Sequence, residues 1–123
     1  MKLIYLYHSG FALLGEGYTI IFDYFEDSVS PSSGIVHNEL LQRPGRLYVL
    51  SSHSHADHFN KEVLQWREQR PDIIYIFSKD ILRHRRAQKE DAVWLKKGEE
   101  YKDETLSVRA FGSTDMGLSL IHI

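Results

Sequence analysis

The run RLYVLS (46–51) is the segment that most constrains this chain. Its residues 47–50 are all apolar or aromatic and leave no polar face, so a strand here must be covered on both sides. Strands of that kind sit inside the parallel sheets of α/β domains. The next stretch is equally constraining. SSHSHADHF (51–59) places His53, His55, Asp57 and His58 directly after the strand. In open α/β sheets the carboxyl ends of the strands are where binding sites collect.

The flanking segments fit such a sheet. KLIYLY (2–7) is rich in strand formers, and FALL (11–14), GEG (15–17) and YTIIFDY (18–24) read as strand, tight turn and strand. EDSVSPSSG (26–34) has loop composition, and IVHNELLQR (35–43) spaces apolar residues at 36, 40 and 41 as on one helix face, ended by Pro44-Gly45. Asn60 is an expected N-cap for a helix over KEVLQWREQR (61–70), stopped by Pro71. IIYIF (73–77) is a second buried strand, and Ser78 would cap a short helix. AVWL (92–95), TLSVRAF (105–111) and GLSLIHI (117–123) read as strands. An antiparallel hairpin followed by strand–helix alternation predicts a mixed α/β fold.

Bulk properties bound the function. A chain of 123 residues with 42% hydrophobic content suits one small domain. A net charge of −2 excludes polyanion binding by bulk electrostatics. The absence of cysteine excludes disulfides, thiolate metal sites and a cysteine nucleophile. MKLIYLYHSG is too short an apolar run for a signal peptide, and no stretch approaches the roughly 20 apolar residues of a membrane span. A soluble, cytoplasmic protein is expected.

The histidine cluster has metal-ligand chemistry. In an extended segment His53, His55 and Asp57 share a face, and a turn at Ala56-Asp57 would swing His58 inward. Neutral imidazole and carboxylate are the usual ligands of Zn²⁺, Fe²⁺ or Mn²⁺. A purely structural site would normally use cysteine or four closed ligands. A bound metal lowers the pKa of its water to about 7, which supplies hydroxide at neutral pH.

H-S-H-A-D-H resembles the H-x-H-x-D-H signature of the metallo-β-lactamase-fold hydrolases. HSGFALL (8–14) and TIIFDY (19–24) resemble the hairpin and Asp-terminated strand that precede that signature, and 35–52 resemble the helix and strand leading into it. The likeness runs over nearly the whole chain. It is nearest to the intracellular lactonase-like branch, which includes ascorbate-6-phosphate lactonase. The resemblance implies the N-terminal half of a four-layer αββα sandwich and a metal-dependent hydrolase acting on an ester, lactone or phosphodiester. It implies that His53 and His55 bind a first metal, and Asp57 and His58 a second. With a single metal, Asp57 would instead be the general base. The expected ions are one or two Zn²⁺, with Mn²⁺ or Fe²⁺ as alternatives. Asp23 would orient the loop from beneath as an acceptor, or else be a turn carboxylate at a strand end. His8 would lie near the site mouth, or be an ordinary strand-end histidine.

The chain also departs from the family pattern. A further histidine is expected in a G-H-T-x-G-G-like stretch, yet GSTDMG (112–117) places Ser113 there, and Asp115 is out of register by two. LSLIHI (118–123) is what CTG TCT CTT ATA CAC ATC encodes, the start of a transposase mosaic-end adapter. Residues 1–123 are therefore expected to be a partial domain with an adapter-derived end, leaving the inner faces of LYVL and IIYIF uncovered and prone to association. His37 and His84 have no motif around them and are assigned to helix surfaces; Trp66 and Trp94 are assigned to the core. The basic tract RHRR (83–86) would attract phosphate or RNA, though such runs are more often solvated helix faces. The expected partners are a small-molecule substrate and, for a longer parent, a second copy of itself; nucleic acid has weak support and a membrane none. The competing readings are a metal- or anion-binding module with little turnover, and an inactive fragment.

Overall fold

The computed structural model describes residues 1–7, 10–29, 33–52, 54, 59–110 and, as backbone, 118–122. A six-stranded sheet is built from β1 (Lys2–Tyr7), β2 (Gly10–Gly15), β3 (Tyr18–Phe22), β4 (Arg46–Ser51), β5 (Ile74–Ser78) and β6 (Val93–Leu95), in that spatial order. β1, β2 and β3 run antiparallel, and β3 to β6 run parallel. A second sheet consists of β7 (Glu100–Lys102), β8 (Ser107–Ala110) and β9 (Leu118–His122), all antiparallel. The three-residue strand β7 is not expected from the sequence.

The expected double burial of β4 is met. Alternate residues along a strand face opposite sides, and β4 divides its side chains between two cores. Leu47 and Val49 pack with Val36, Leu41, Val63, Trp66 and Ile81 beneath the helices. Tyr48 and Leu50 pack with Ile76, Leu106, Val108 and Ala110 between the sheets. Helices, central sheet and second sheet make three layers among the described residues. This corrects one expectation: the inner faces of LYVL and IIYIF are covered by β8 and its neighbours, with Tyr48, Leu50 and Ile76 each at most 1% exposed. Among the described residues the exposed large apolar side chains lie elsewhere: Leu3 and Tyr5 on β1 (67% and 61% exposed), Met1 before it, Val29 in the loop after β3 and Val93 on β6.

The connections are short helices. The predicted helix over 35–43 is a four-residue α1 (Ile35–Asn38) followed by a 3₁₀ turn, Leu40–Gln42. Asn60 caps the next helix as expected, its side chain accepting from the N–H of Glu62. That helix, Lys61–Glu68, is wound as 3₁₀, so its buried residues Val63 and Trp66, three apart, align on one face. Ser78 caps α2 (Lys79–Arg83) by accepting from Asp80. Gly45 (φ 94°) lets the chain turn against the hairpin, where a Cβ would lie 2.4 Å from the Gly17 carbonyl oxygen. The next residue, Arg46, donates to that same oxygen and opens β4.

Candidate functional site

His53, His55, Asp57 and His58 lie outside the described residues, as do His8, Ser113 and Asp115. The structure does describe what holds the ends of the histidine-bearing segment. β4 finishes at Ser51. Ser52 donates to Asp23 twice, from its backbone N–H to Oδ1 and from its hydroxyl to Oδ2, both at 2.7 Å. Asp23 follows β3 in a left-handed conformation (φ 47°), which Asp tolerates better than most residues. Its own N–H bonds the Leu50 carbonyl at 2.8 Å, tying the ends of β3 and β4 together.

A second carboxylate comes from the end of β5. Asp80, in the first turn of α2, accepts from the N–H of Ser54 at 2.8 Å. Burial alone would raise the Asp80 carboxyl. The hydrogen bonds from the Ser54 backbone and side chain, with His84 and Arg83 nearby, overcome this and lower it.

The third brace is cationic. Arg86 donates to the carbonyls of Ser54 and Phe59, the latter at 3.1 Å, and its guanidinium lies 5.2 Å above the Phe59 ring. Phe59 itself is fully buried against Phe77. Asn60 completes the set: besides capping its helix it donates to the Phe25 carbonyl at 2.8 Å. Residues 52, 54, 59 and 60 are thus pinned from two stretches of chain, Asp23 and Phe25 after β3 and Asp80 and Arg86 in and just after α2. Side chains locked from neighbouring elements are how a fold fixes the flanks of a site.

Sequence reasoning places Asp23 beneath this segment but misses Asp80 and Arg86. Asp80 stands at the carboxyl end of a parallel strand, the same signal that draws attention to β4. Arg86 belongs to a tract whose sequence suggests a solvated face; its guanidinium is instead spent on two carbonyls. Trp66 is a core anchor, and Trp94 is half-buried with its indole N–H on the Lys89 carbonyl.

His37 requires a correction. It is no bare helix-surface residue, although its side chain is 44% exposed. Its Nδ1 meets Asp27 and its Nε2 meets Glu62, in two short contacts. Glu62 also accepts from Tyr24 (3.1 Å) and from the Trp66 indole (2.9 Å). Burial would lower the His37 pKa, but the hydrogen bonds to Glu62 and Asp27 raise it. Burial and the neighbouring Glu62 push the Tyr24 hydroxyl far up. His84 is exposed, with Nδ1 3.1 Å from Asp80.

No family model matches the chain, and no curated protein matches it. Solved structures do. Igni18, a metallo hydrolase from the hyperthermophilic archaeon Ignicoccus hospitalis, is 21% identical with a TM-score of 0.59, over 94% of this chain and 52% of that one. CmlA, a diiron β-hydroxylase from Streptomyces venezuelae, is 22% identical with a TM-score of 0.57, over 89% of this chain and 23% of that one. A mutant of the CmlA β-hydroxylase gives the same identity and TM-score. The chain has the N-terminal part of a metallo-β-lactamase fold. It spans from about a quarter to about half the length of the structures it matches.

Whether the donors suit a metal rests on their chemistry. Among the described residues no group of three or more His, Asp or Glu side chains is arranged to hold an ion. Within 53–58, three imidazoles and a carboxylate form a donor set suited to Zn²⁺, Fe²⁺ or Mn²⁺. Hydrogen-bonded carboxylates are a recurrent support of such sites, and Asp23 and Asp80 bond the backbone at Ser52 and Ser54, beside these donors in sequence. The residues fit the group. No helix among those described is long and apolar enough to cross a membrane.

Proposed function

We propose that this chain carries the first part of the active site of a metal-dependent hydrolase. His53 and His55 hold one divalent cation and Asp57 and His58 a second, or Asp57 serves as general base beside a single ion. Support comes above all from the bracing of this segment at the carboxyl end of β4 by Asp23, Asp80, Arg86 and Asn60. A bound cation supplies Lewis acidity and water of lowered pKa. The chain's own part is to keep the imidazoles neutral and aimed, and to present Asp57 as a proton acceptor. Asp23 and Asp80 contribute by fixing Ser52 and Ser54, which removes freedom that the ligands would otherwise lose on binding.

The substrate belongs to the same proposal: an ester, lactone or phosphodiester of a small metabolite or nucleic acid, in keeping with the likeness of 8–14 and 19–24 to metallo-β-lactamase-fold hydrolases. Zinc as the ion, a cytoplasmic location, self-association of the parent, and 1–123 as half of a larger catalytic unit are also part of it. The alternative is a metal-binding module with little turnover, favoured by Ser113 where a ligand histidine is expected.

The test is metal content after stripping and reloading the purified chain with Zn²⁺, Mn²⁺ or Fe²⁺. His53→Ala with His55→Ala should abolish tight uptake, whereas His84→Ala should retain it. Uptake should weaken below about pH 6, where histidine protonates. Equal loss in all variants would mean diffuse histidine affinity and sink the proposal. Stoichiometric metal without hydrolysis of lactone or phosphodiester probes, in the chain and in any longer parent, would favour the binding module.

A further inference from the structure

The 61–68 helix, the turn after α2 and the 3₁₀ turn Lys89–Asp91 line an open cleft of about 610 Å³. Four cations line it: Lys61, Arg67, Arg85 and Arg86. One carboxylate, Asp91, stands against them, and it is already committed. Its Oδ1 bonds Arg67 at 2.8 Å and its Oδ2 accepts the Gln88 N–H at 2.7 Å. Among the described residues Arg86 meets the neutral carbonyls of Ser54 and Phe59 and the Phe59 ring, and no carboxylate, so its charge is oriented but not neutralised there. Lys61 and Arg85 make no ion pair among the described residues. Arg85 lines the cavity from a left-handed backbone (φ 58°), a conformation a non-glycine residue holds only where its surroundings impose it. Leu64 and Leu82 supply an apolar wall.

We propose that this cavity binds a small, multiply charged anion of the phosphate-ester or polyphosphate class. Three positive charges around one concavity, without carboxylate partners among the described residues, raise the local potential and favour an anion there. Guanidinium forks match phosphate oxygens in a bidentate manner, and the volume is that of a small-molecule site. A nucleic acid polymer would need an extended basic stripe; here four cations converge on one cleft of a chain of net charge −2. Arg86 touches both the cavity and the ends of the histidine segment, so the anion would sit one residue away from that segment's anchor. The inference goes beyond the metal reading and does not depend on it.

The probe is pyrophosphate, titrated calorimetrically into the full chain at low ionic strength with EDTA present, so that chelation by a bound metal cannot mimic binding. Saturable one-site binding is expected. Lys61→Ala with Arg85→Ala should weaken it by about tenfold or more, and Arg85→Gln alone by about threefold. Lys96→Ala with Lys97→Ala removes the same charge from an exposed turn elsewhere and should leave the affinity unchanged. His53→Ala with His55→Ala should also leave it unchanged, so a failed metal site and a failed anion site are told apart. Absence of saturation in the millimolar range would overturn the proposal. So would equal weakening by the Lys96/Lys97 pair, loss of binding in the His53/His55 variant, or binding of single-stranded RNA by a chain that ignores pyrophosphate. Should the Lys61/Arg85 pair lose its native circular dichroism, the exposed single change Arg85→Gln decides.

Discussion

The two ends of β4 use the same chemistry for opposite purposes. At its start, Asp103 gathers donors from all sides: the Tyr48 hydroxyl at 2.7 Å, the Tyr101 hydroxyl at 2.8 Å, the N–H groups of Thr105 and Leu106, and Arg46 at 3.1 Å. These bonds close the second sheet onto the first around one carboxylate. At the other end, Asp23, Asp80 and Arg86 each bond one stretch of chain, at Ser52, at Ser54, and at Ser54 and Phe59 respectively. One end locks two layers together; the other holds a loop in place. That division, stability at the amino ends of parallel strands and sites at the carboxyl ends, is the one expected of open α/β sheets.

If the comparison holds, the two ends respond differently to losing a carboxylate. Asp103→Ala should have the largest effect, about 3 kcal/mol of stability in urea unfolding, because two phenols and two N–H groups lose their acceptor at once. Metal uptake per folded chain should not change. Asp23→Ala should reverse the pattern. Metal affinity should fall about 10- to 100-fold, the usual scale for support groups, with a smaller loss of stability. A fall in stability from Asp23→Ala matching that of Asp103→Ala, with metal affinity intact, would break the distinction.

Acid should find the locked end too. Burial would raise the Asp103 carboxyl, but the hydrogen bonds from Tyr48, Leu106, Tyr101 and Thr105 lower it to about 2. A depressed folded pKa contributes stability that is fully present above the unfolded value of about 3.9 and lost as pH falls toward 2. On the order of 1–2 kcal/mol should therefore disappear between about pH 4 and pH 2. Asp103→Asn should remove most of this acid limb. An unchanged limb in that variant would place the acid sensitivity elsewhere.

Sequence distance decides how much of this is legible in the sequence. The hairpin at GEG, the doubly buried strand RLYVLS and the Asn60 cap are local signals, written within a few residues. The bracing of the histidine segment is not. Asp80 reaches Ser54 across 26 positions and Arg86 reaches Phe59 across 27. Nothing in RHRR distinguishes a clamped arginine from a solvated one until the fold brings Phe59 beneath it. β7 escapes notice because EYK is short and charged at both ends, with strand pairing to β8 as its main support. His37 looks like a surface residue because its partners, Asp27 and Glu62, lie 10 and 25 positions away.

That histidine gives the smallest effect and the finest test of the comparison, since it joins the Asp23–Asp27 segment to the helix begun by Asn60. Both ring nitrogens face carboxylates, an arrangement that both can satisfy as donors only in the protonated ring. Burial opposes that charge, and the bonds to Glu62 and Asp27 outweigh it and raise the pKa. A raised folded pKa contributes stability fully present below the unfolded value of about 6.5 and lost as pH climbs through the folded one. The side chain is nearly half exposed, so solvent screens the pair, and the contribution should be only about 0.5 kcal/mol. Urea unfolding at pH 6 and pH 9 should show that loss in the native sequence. His37→Gln, which can still donate one hydrogen bond but carries no charge, should flatten it. At pH 9 the variant should match the native chain within error, because Glu62 keeps Tyr24 and Trp66 as donors and Asp27 keeps the N–H groups of Ser28, Val36 and residue 37. A basic limb that survives His37→Gln would assign it to another group and leave His37 a neutral structural bridge.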